Sequence, residues 1–154
     1  LGSKKDGQVL SVSRTGLGID YGEKRVGLAI SDPARIFAQT LSTVTRKHNG
    51  DIAVANTIKA LIKQHQVTEI VIGWPLRLNG REGIQTQKVA RFIRCFDEIE
   101  LPIHKWDERL STTSADRVLS QAGVKGAARR EKVDQLAAVI ILQAWLDAQS
   151  AKSQ

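Results

Sequence analysis

Three acidic residues, far apart in the chain, share a positional logic. Asp20 ends a short apolar run, Glu108 ends the last β-like run, and Asp134 lies in the early turns of the final helical stretch. Carboxylates brought together repel one another unless a hard cation offsets their charge, and Mg²⁺ or Mn²⁺ is the usual cation for such oxygen donors. Two such ions, roughly 4 Å apart, activate a water and stabilise the leaving oxygen in phosphodiester hydrolysis. Cations stand beside each acid. Lys24 and Arg25 follow Asp20, Arg109 follows Glu108, and Lys125, Arg129, Arg130 and Lys132 run up to Asp134. Arg77 and Arg81 fall in a loop that opens a helix at Gly83, where backbone N–H groups could meet a phosphate. Residues so placed would hold a phosphate backbone while metals act on one ester.

Each feature also has a plain structural reading. An Asp after a strand favours a turn through its own hydrogen bonds. Asp134 would gain from a helix dipole, Glu108 with Arg109 would make a surface pair of little worth, and the basic run 125–132 would be a solvated loop. Singly, each of the acids is better read that way; together, at three element ends beside a basic stretch, they favour a metal site. Asp107 competes with Glu108, since strand alternation sends the two to opposite sides. Asp32 and Glu82 are weaker candidates. His48, His65 and His104 show no metal-ligand spacing, and Trp74 suits the core better than a base-stacking platform.

The elements that would position these groups follow from hydrophobic spacing. Leu17–Ile19 and Val26–Ile30 flank a Gly-containing link and read as a hairpin, with Gly18 and Gly27 leaving room for another backbone or a ligand. Ile36–Val44 is a third strand. Asn49 can cap a helix with Val54, Ile58, Leu61 and Ile62 on one stripe, extending to about Gln64. Thr68–Gly73 is a β-branched run of the kind buried between layers, and it empties into a loop, Trp74–Gly83, with a Pro kink and an Asn-Gly turn. A second helix carries Val89, Phe92, Ile93 and Phe96, and Leu101–Asp107 is a fifth strand. Ser111 suits the N-cap of a helix with Ala115, Val118, Leu119 and Ala122 on its stripe, stopped by Gly123. After the basic loop, Val133, Leu136, Ala137, Ile140 and Ala144 face inward on a final helix, apolar over much of its circumference and packed against the sheet. The order β-β-β-α-β-α-β-α-α fits a three-strand antiparallel meander plus two parallel strands in one mixed sheet, with helices on both faces. Strand exits on one edge are where ligands sit in such sheets.

Length and composition set the frame. A chain of 154 residues suits one domain, and 42% hydrophobic with 25% charged residues is ordinary for a soluble globular protein. The expected division is a tag remnant or flexible end over 1–14, a folded domain over 15–149 and a tail over 150–154. Without methionine the chain is not expected to start at an initiator. No run approaches a membrane span, so no membrane partner is expected. Cys95 is single, which excludes an internal disulfide, and the chain has no thiol or His cluster for zinc; a reducing compartment is the natural inference. A net charge of +7 favours polyanions such as nucleic acid.

Four ordered motifs carry a resemblance. They are Gly18-Ile19-Asp20-Tyr21-Gly22-Glu23-Lys24-Arg25-Val26-Gly27; Gly73-Trp74-Pro75-Leu76 with Asn79-Gly80 and Glu82-Gly83; Asp107-Glu108-Arg109-Leu110-Ser111-Thr112; and Lys132-Val133-Asp134-Gln135-Leu136-Ala137-Ala138. Over roughly Thr15 to Asp147 the chain resembles the YqgF family, also called RuvX, of Holliday junction resolvase-like and pre-16S ribosomal RNA nucleases. The resemblance implies an RNase H-like fold and two-metal nuclease chemistry, with Asp20, Glu108 and Asp134 in the acidic positions, both catalytic and metal-binding. It implies a cytoplasmic bacterial protein, or an organellar relative in a plant, that matures the 5′ end of small-subunit ribosomal RNA. Trp74 departs from the aliphatic residue expected there, which touches loop contacts only. Four readings stay open: an endonuclease on precursor ribosomal RNA, a resolvase of branched four-way DNA, a non-catalytic nucleic-acid-binding assembly factor, and, last, an actin-like ATPase. Junction cutting calls for a symmetric homodimer, whereas the RNA reading allows a monomer.

Overall fold

The computed structural model describes residues 13–48, 50–110, 123 and 126–152, with Leu110 and residues 127–131 by backbone alone. The elements are β1 (Gly16–Tyr21), β2 (Arg25–Ser31), β3 (Ala38–Thr45), α1 (Gly50–His65), β4 (Glu69–Trp74), α2 (Ile84–Arg94), β5 (Ile103–Asp107), a 3₁₀ turn (Glu108–Leu110) and α3 (Gly126–Lys152). They build a five-stranded sheet in the order β3-β2-β1-β4-β5. β1, β2 and β3 pair antiparallel, while β4 joins β1, and β5 joins β4, in parallel. This is the expected meander with two parallel additions, in an RNase H-like layout. The helix expected from Ser111 to Ala122 lies outside the described residues, as do Asn49 and Lys125.

Strand alternation divides the core. Leu17, Ile19, Ile70, Ile72 and Trp74 face α1 and α2, packing with Val54, Ile58, Val89 and Phe92. The opposite face holds Ala29 and Val71 against Ala138, Ile141, Leu142 and Trp145 of α3. β4 is buried along its whole length, as a β-branched run between two helical layers should be. Trp74 belongs to this core, as expected.

Several boundaries differ from the sequence reading, each for a local reason. β3 begins at Ala38, not Ile36, because Asp32 Oδ1 accepts from the N–H groups of Ile36 and Phe37 and takes them out of the ladder. β5 begins after Pro102, which has no N–H to give to a ladder. The expected basic loop 125–132 is helix from Gly126 onward, since Ala127, Ala128, Arg129, Arg130, Glu131 and Lys132 are mostly strong helix formers. The inward face of α3 is also rotated from the expected one. Ala137, Ala138, Ile141, Leu142, Trp145 and Leu146 are buried, while Val133, Leu136, Ile140 and Ala144 are half-buried.

Glycines set where α3 lies. A Cβ on Gly18 would come within 2.8 Å of the Ala138 carbonyl oxygen and of Leu142 Cβ, and one on Gly27 would run into the backbone of Asp134. The room that Gly18 and Gly27 were expected to leave is therefore taken by a helix backbone.

Candidate active site

Asp20 is the penultimate residue of β1 and stands opposite Gly27 of β2. Since Leu17 and Ile19 point to the α1/α2 layer, Asp20 points to the α3 side. Glu108 opens the 3₁₀ turn directly after β5, two strands away from β1. Between them lies β4, and there the chain has Gly73. A side chain at Gly73 would collide with the Glu108 carboxylate, so the glycine is the gap through which Glu108 crosses β4. Its carboxylate meets Asp20 in a side-chain hydrogen bond.

Burial pushes the Asp20 carboxyl well above its usual range, and the Glu108 hydrogen bond and the charges of Glu108 and Asp134 push it further. Glu108 is raised as well, first by burial and then by the charge of Asp107, while the bond from Asp20 works the other way. Burial and the neighbouring charges thus hold the pair back from losing both protons together. The contest between Asp107 and Glu108 resolves in space. Asp107 turns outward into a bidentate pair with Arg109, with Nε at 3.0 Å from Oδ1 and Nη2 at 2.6 Å from Oδ2. That pair holds the Asp107 carboxylate below its usual range.

The third acid is reached differently. Asp134 sits on α3, with its backbone against Gly27, close enough for its charge to raise Asp20. Its carboxylate accepts a hydrogen bond from Arg25 Nε at 2.7 Å. Because α3 begins at Gly126, Asp134 is more than two turns into the helix and outside the reach of the N-terminal dipole. The plain reading of that Asp thereby loses its basis. Among the described residues, no three acids, histidines or cysteines are set together as a ready metal site. The oxygen donors suit a hard cation, and the Asp20–Glu108 pair concentrates charge that a cation would offset in place of the shared proton. Asp134 would join either beside Arg25, which holds its Oδ2, or in exchange for it.

The basic residues fall into groups. Lys24 is exposed in the β1–β2 turn, and Arg25 pairs with Asp134. Arg77 and Arg81 are exposed on the loop after β4, and Arg109 ties that loop to the end of β5 by donating to the Leu78 carbonyl at 3.4 Å. Lys132 is exposed on α3; the side chains of Arg129 and Arg130 lie outside the described residues. Asp32 lies at the opposite sheet end in its own turn, and Glu82 is exposed on the loop.

Sequence reasoning missed a clamp on the turn after Asp20. Arg46 Nη1 donates to the Gly22 carbonyl at 2.8 Å and Nη2 to Asp51 Oδ1 at 2.8 Å, with its guanidinium 4.7 Å from the Tyr21 ring centroid. The Tyr21 hydroxyl donates to the same Asp51 oxygen at 2.7 Å, and burial with that bond pushes its pKa up to about 12. No spacing along the chain signals this contact, because its members come from β1, the link after β3 and the first turn of α1. Gly73 had a visible signal, a glycine closing a β-branched run, but its task depends on where Glu108 lands.

The family model RuvX, described as a Holliday junction resolvase, matches residues 14–148. The chain belongs to the RuvX family. A relative from Syntrophus aciditrophicus, named "Putative pre-16S rRNA nuclease", is 48% identical over 134 residues, covering 86% of this chain and 87% of its own. One of the same name from Koribacter versatilis is 42% identical over 132 residues, covering 85% of each. Among solved structures, Thermus thermophilus RuvC in complex with a Holliday junction substrate is similar with a TM-score of 0.56 at 14% identity, covering 89% of this chain and 96% of that one. At that identity the likeness shows a shared fold. Membership of RuvX supports an enzyme of the hydrolase type. No helix among the described residues is long and apolar enough to cross a membrane.

Proposed function

We propose that this RuvX chain is a divalent-cation-dependent endonuclease that hydrolyses phosphodiester bonds in precursor 16S ribosomal RNA, in maturation of its 5′ end. The observation that carries the reading is the half-buried Asp20–Glu108 pair at the exits of β1 and β5, with the charge of Asp134 beside it. Two acids at the sheet edge where α/β proteins place ligands, with a third on the helix packed beside them, make a poor design for stability alone. Asp20, Glu108 and Asp134 would hold Mg²⁺ or Mn²⁺, which when bound supplies an activated water and stabilises the leaving oxygen. Lys24, Arg25, Arg77, Arg81, Arg109, Arg129, Arg130 and Lys132 would bind the phosphate backbone. Arg25 has a double part in this scheme: a substrate phosphate that takes its guanidinium also releases the Asp134 carboxylate. The names of the relatives support the RNA substrate.

The description of the matching family model favours a second reading, resolution of four-way DNA by a homodimer. One cleavage assay separates the two. Purified chain is given precursor 16S RNA and a synthetic four-way junction in parallel, with Mn²⁺ or with chelator, and Asp20→Asn as control. The expected result is cleavage of the RNA only, lost with chelator and reduced at least about a hundredfold by Asp20→Asn. Paired cuts in the junction alone would establish the DNA reading instead. Tight RNA binding without cleavage by either protein would mark an assembly factor.

A further inference from the structure

A single exposed leucine needs no explanation, but Leu78 is presented in an unusual way. It is 94% exposed at the tip of the loop after β4, the loop that leads away from the Asp20–Glu108 pair. That loop is a tight hairpin. Arg77 N–H donates to the Arg81 carbonyl at 2.8 Å, Gly80 N–H donates to the Arg77 carbonyl at 2.8 Å, and Gly80 takes the left-handed conformation, φ 84°, that such a three-residue turn requires. Asn79 Oδ1 accepts from Arg81 N–H at 2.9 Å, and Arg109, the neighbour of Glu108, donates to the carbonyl of Leu78 itself. The backbone of the apolar tip is therefore in contact with the residue next to Glu108. A cavity of about 340 Å³ lies beside it, walled by Pro75, Leu76 and Ile84 with Arg77, and Ile84 is itself 64% exposed. Neither Arg77 nor Arg81 has an ion-pair partner among the described residues.

We propose that this hairpin and cavity form a subsite for one unstacked nucleobase of the substrate, with Leu78 as the wedge that fills the gap left in the stack. The proposal rests on the nuclease reading above and adds how the chain would expose one linkage. A base offers a flat apolar face flanked by phosphate anions. Exposed Leu78 and Ile84, interleaved with Arg77 and Arg81, offer the complementary pattern. Apolar wedges inserted at a base step are a general way to open a stack, and a pocket of this volume is in the range that holds small planar ligands. The tie through Arg109 sets the opened step next to the acid pair.

The test uses the full chain carrying Asp20→Asn, so that RNA is bound without being cut. Short RNA hairpins, each with one 2-aminopurine at a successive position, report unstacking by fluorescence, and anisotropy reports affinity. The expected result is a several-fold fluorescence rise at one position. Leu78→Ser, alone or with Ile84→Ser, should abolish the rise and weaken binding roughly fivefold or more at every salt concentration, leaving the salt slope unchanged. Arg77→Gln should instead lower that slope by about one. Leu78→Met should keep the fluorescence rise, and equal melting temperatures show that the variants fold. Unchanged fluorescence and affinity in Leu78→Ser would overturn the subsite. No anisotropy change with any RNA or with a four-way DNA junction, even before Leu78 is altered, would instead bring down the nucleic-acid reading and the subsite with it.

Discussion

Asp20 concentrates the conflict between stability and chemistry in one side chain. Its carboxyl is held well above the ordinary 3.8 by burial, by Glu108 and by Asp134. In the unfolded chain the proton leaves near that ordinary value; in the folded chain it stays on until a higher pH. Between the two values the native state binds more protons, so its stability is fully present below the ordinary value and is lost as pH rises through the raised one. In chelator, the melting temperature should fall across that window, and Asp20→Asn should flatten the fall. At neutral pH the variant should melt higher, by about 2–4 °C for each kcal/mol regained. On the proposed reading Mn²⁺ would bind the deprotonated pair, so its stabilising effect should grow with pH in the unaltered chain and vanish in Asp20→Asn. Melting curves from pH 4 to 8, with Mn²⁺ and with chelator, check all three. A melting temperature equally flat with pH in both proteins would mean that Asp20 is an ordinary ionised acid, and no cation would be needed to offset it.

At the scale of elements, two glycines do different work, and substitution separates them. Gly27 faces the backbone of Asp134, which cannot move without shifting α3. Gly27→Ala should cost about 1–3 kcal/mol and lower the melting temperature measurably. Gly73 faces the far end of the Glu108 side chain, which can swing aside. Gly73→Ala should melt close to the unaltered chain yet lose cleavage, together with the pH dependence of melting that the acid pair gives. The opposite ranking in a thermal melt would place α3, not Glu108, against Gly73. This contrast also marks how far the sequence could be read. The strand order, the strand pairing and the position of Asp20 and Glu108 at strand ends were legible, because hydrophobic periodicity and strand ends are local properties. The face of α3 was not, since a stretch with Val139, Ile140, Ile141, Leu142 and Trp145 in it has apolar residues on every side, and only the glycine seat on the sheet selects one. The start of α3 was misread because a run of arginines looks like a loop by charge and like a helix by propensity. The clamp of Tyr21, Arg46 and Asp51, and the passage of Glu108 over Gly73, are contacts among elements and leave no trace in spacing.

For the whole molecule, the sheet keeps its two ends apart in purpose. One end carries the raised acid pair at the exits of β1 and β5. The other carries Glu69, buried at the start of β4, with Arg35 Nε at 3.0 Å, His104 Nε2 at 3.5 Å and Arg14 Nη2 at 3.6 Å. Arg35 reaches it from a left-handed backbone, φ 60°, and its guanidinium lies 5.3 Å from the ring centroid of Trp145, so the pair joins the turn before β3 to β4 and α3. Here the charges oppose and hold the fold, whereas at the site they repel. Removing one partner of a buried pair leaves the other desolvated and unpaired, at a cost of about 3–5 kcal/mol. Glu69→Ala should therefore lower the melting temperature by roughly 6–20 °C. At a temperature where the variant remains folded, its Mn²⁺ binding and its cleavage rate should match those of the unaltered chain, because nothing it touches reaches the exits of β1 and β5. Loss of cleavage at an intact melting temperature would instead make Glu69 part of the working site and would break the division of the sheet into a stabilising end and a reactive one.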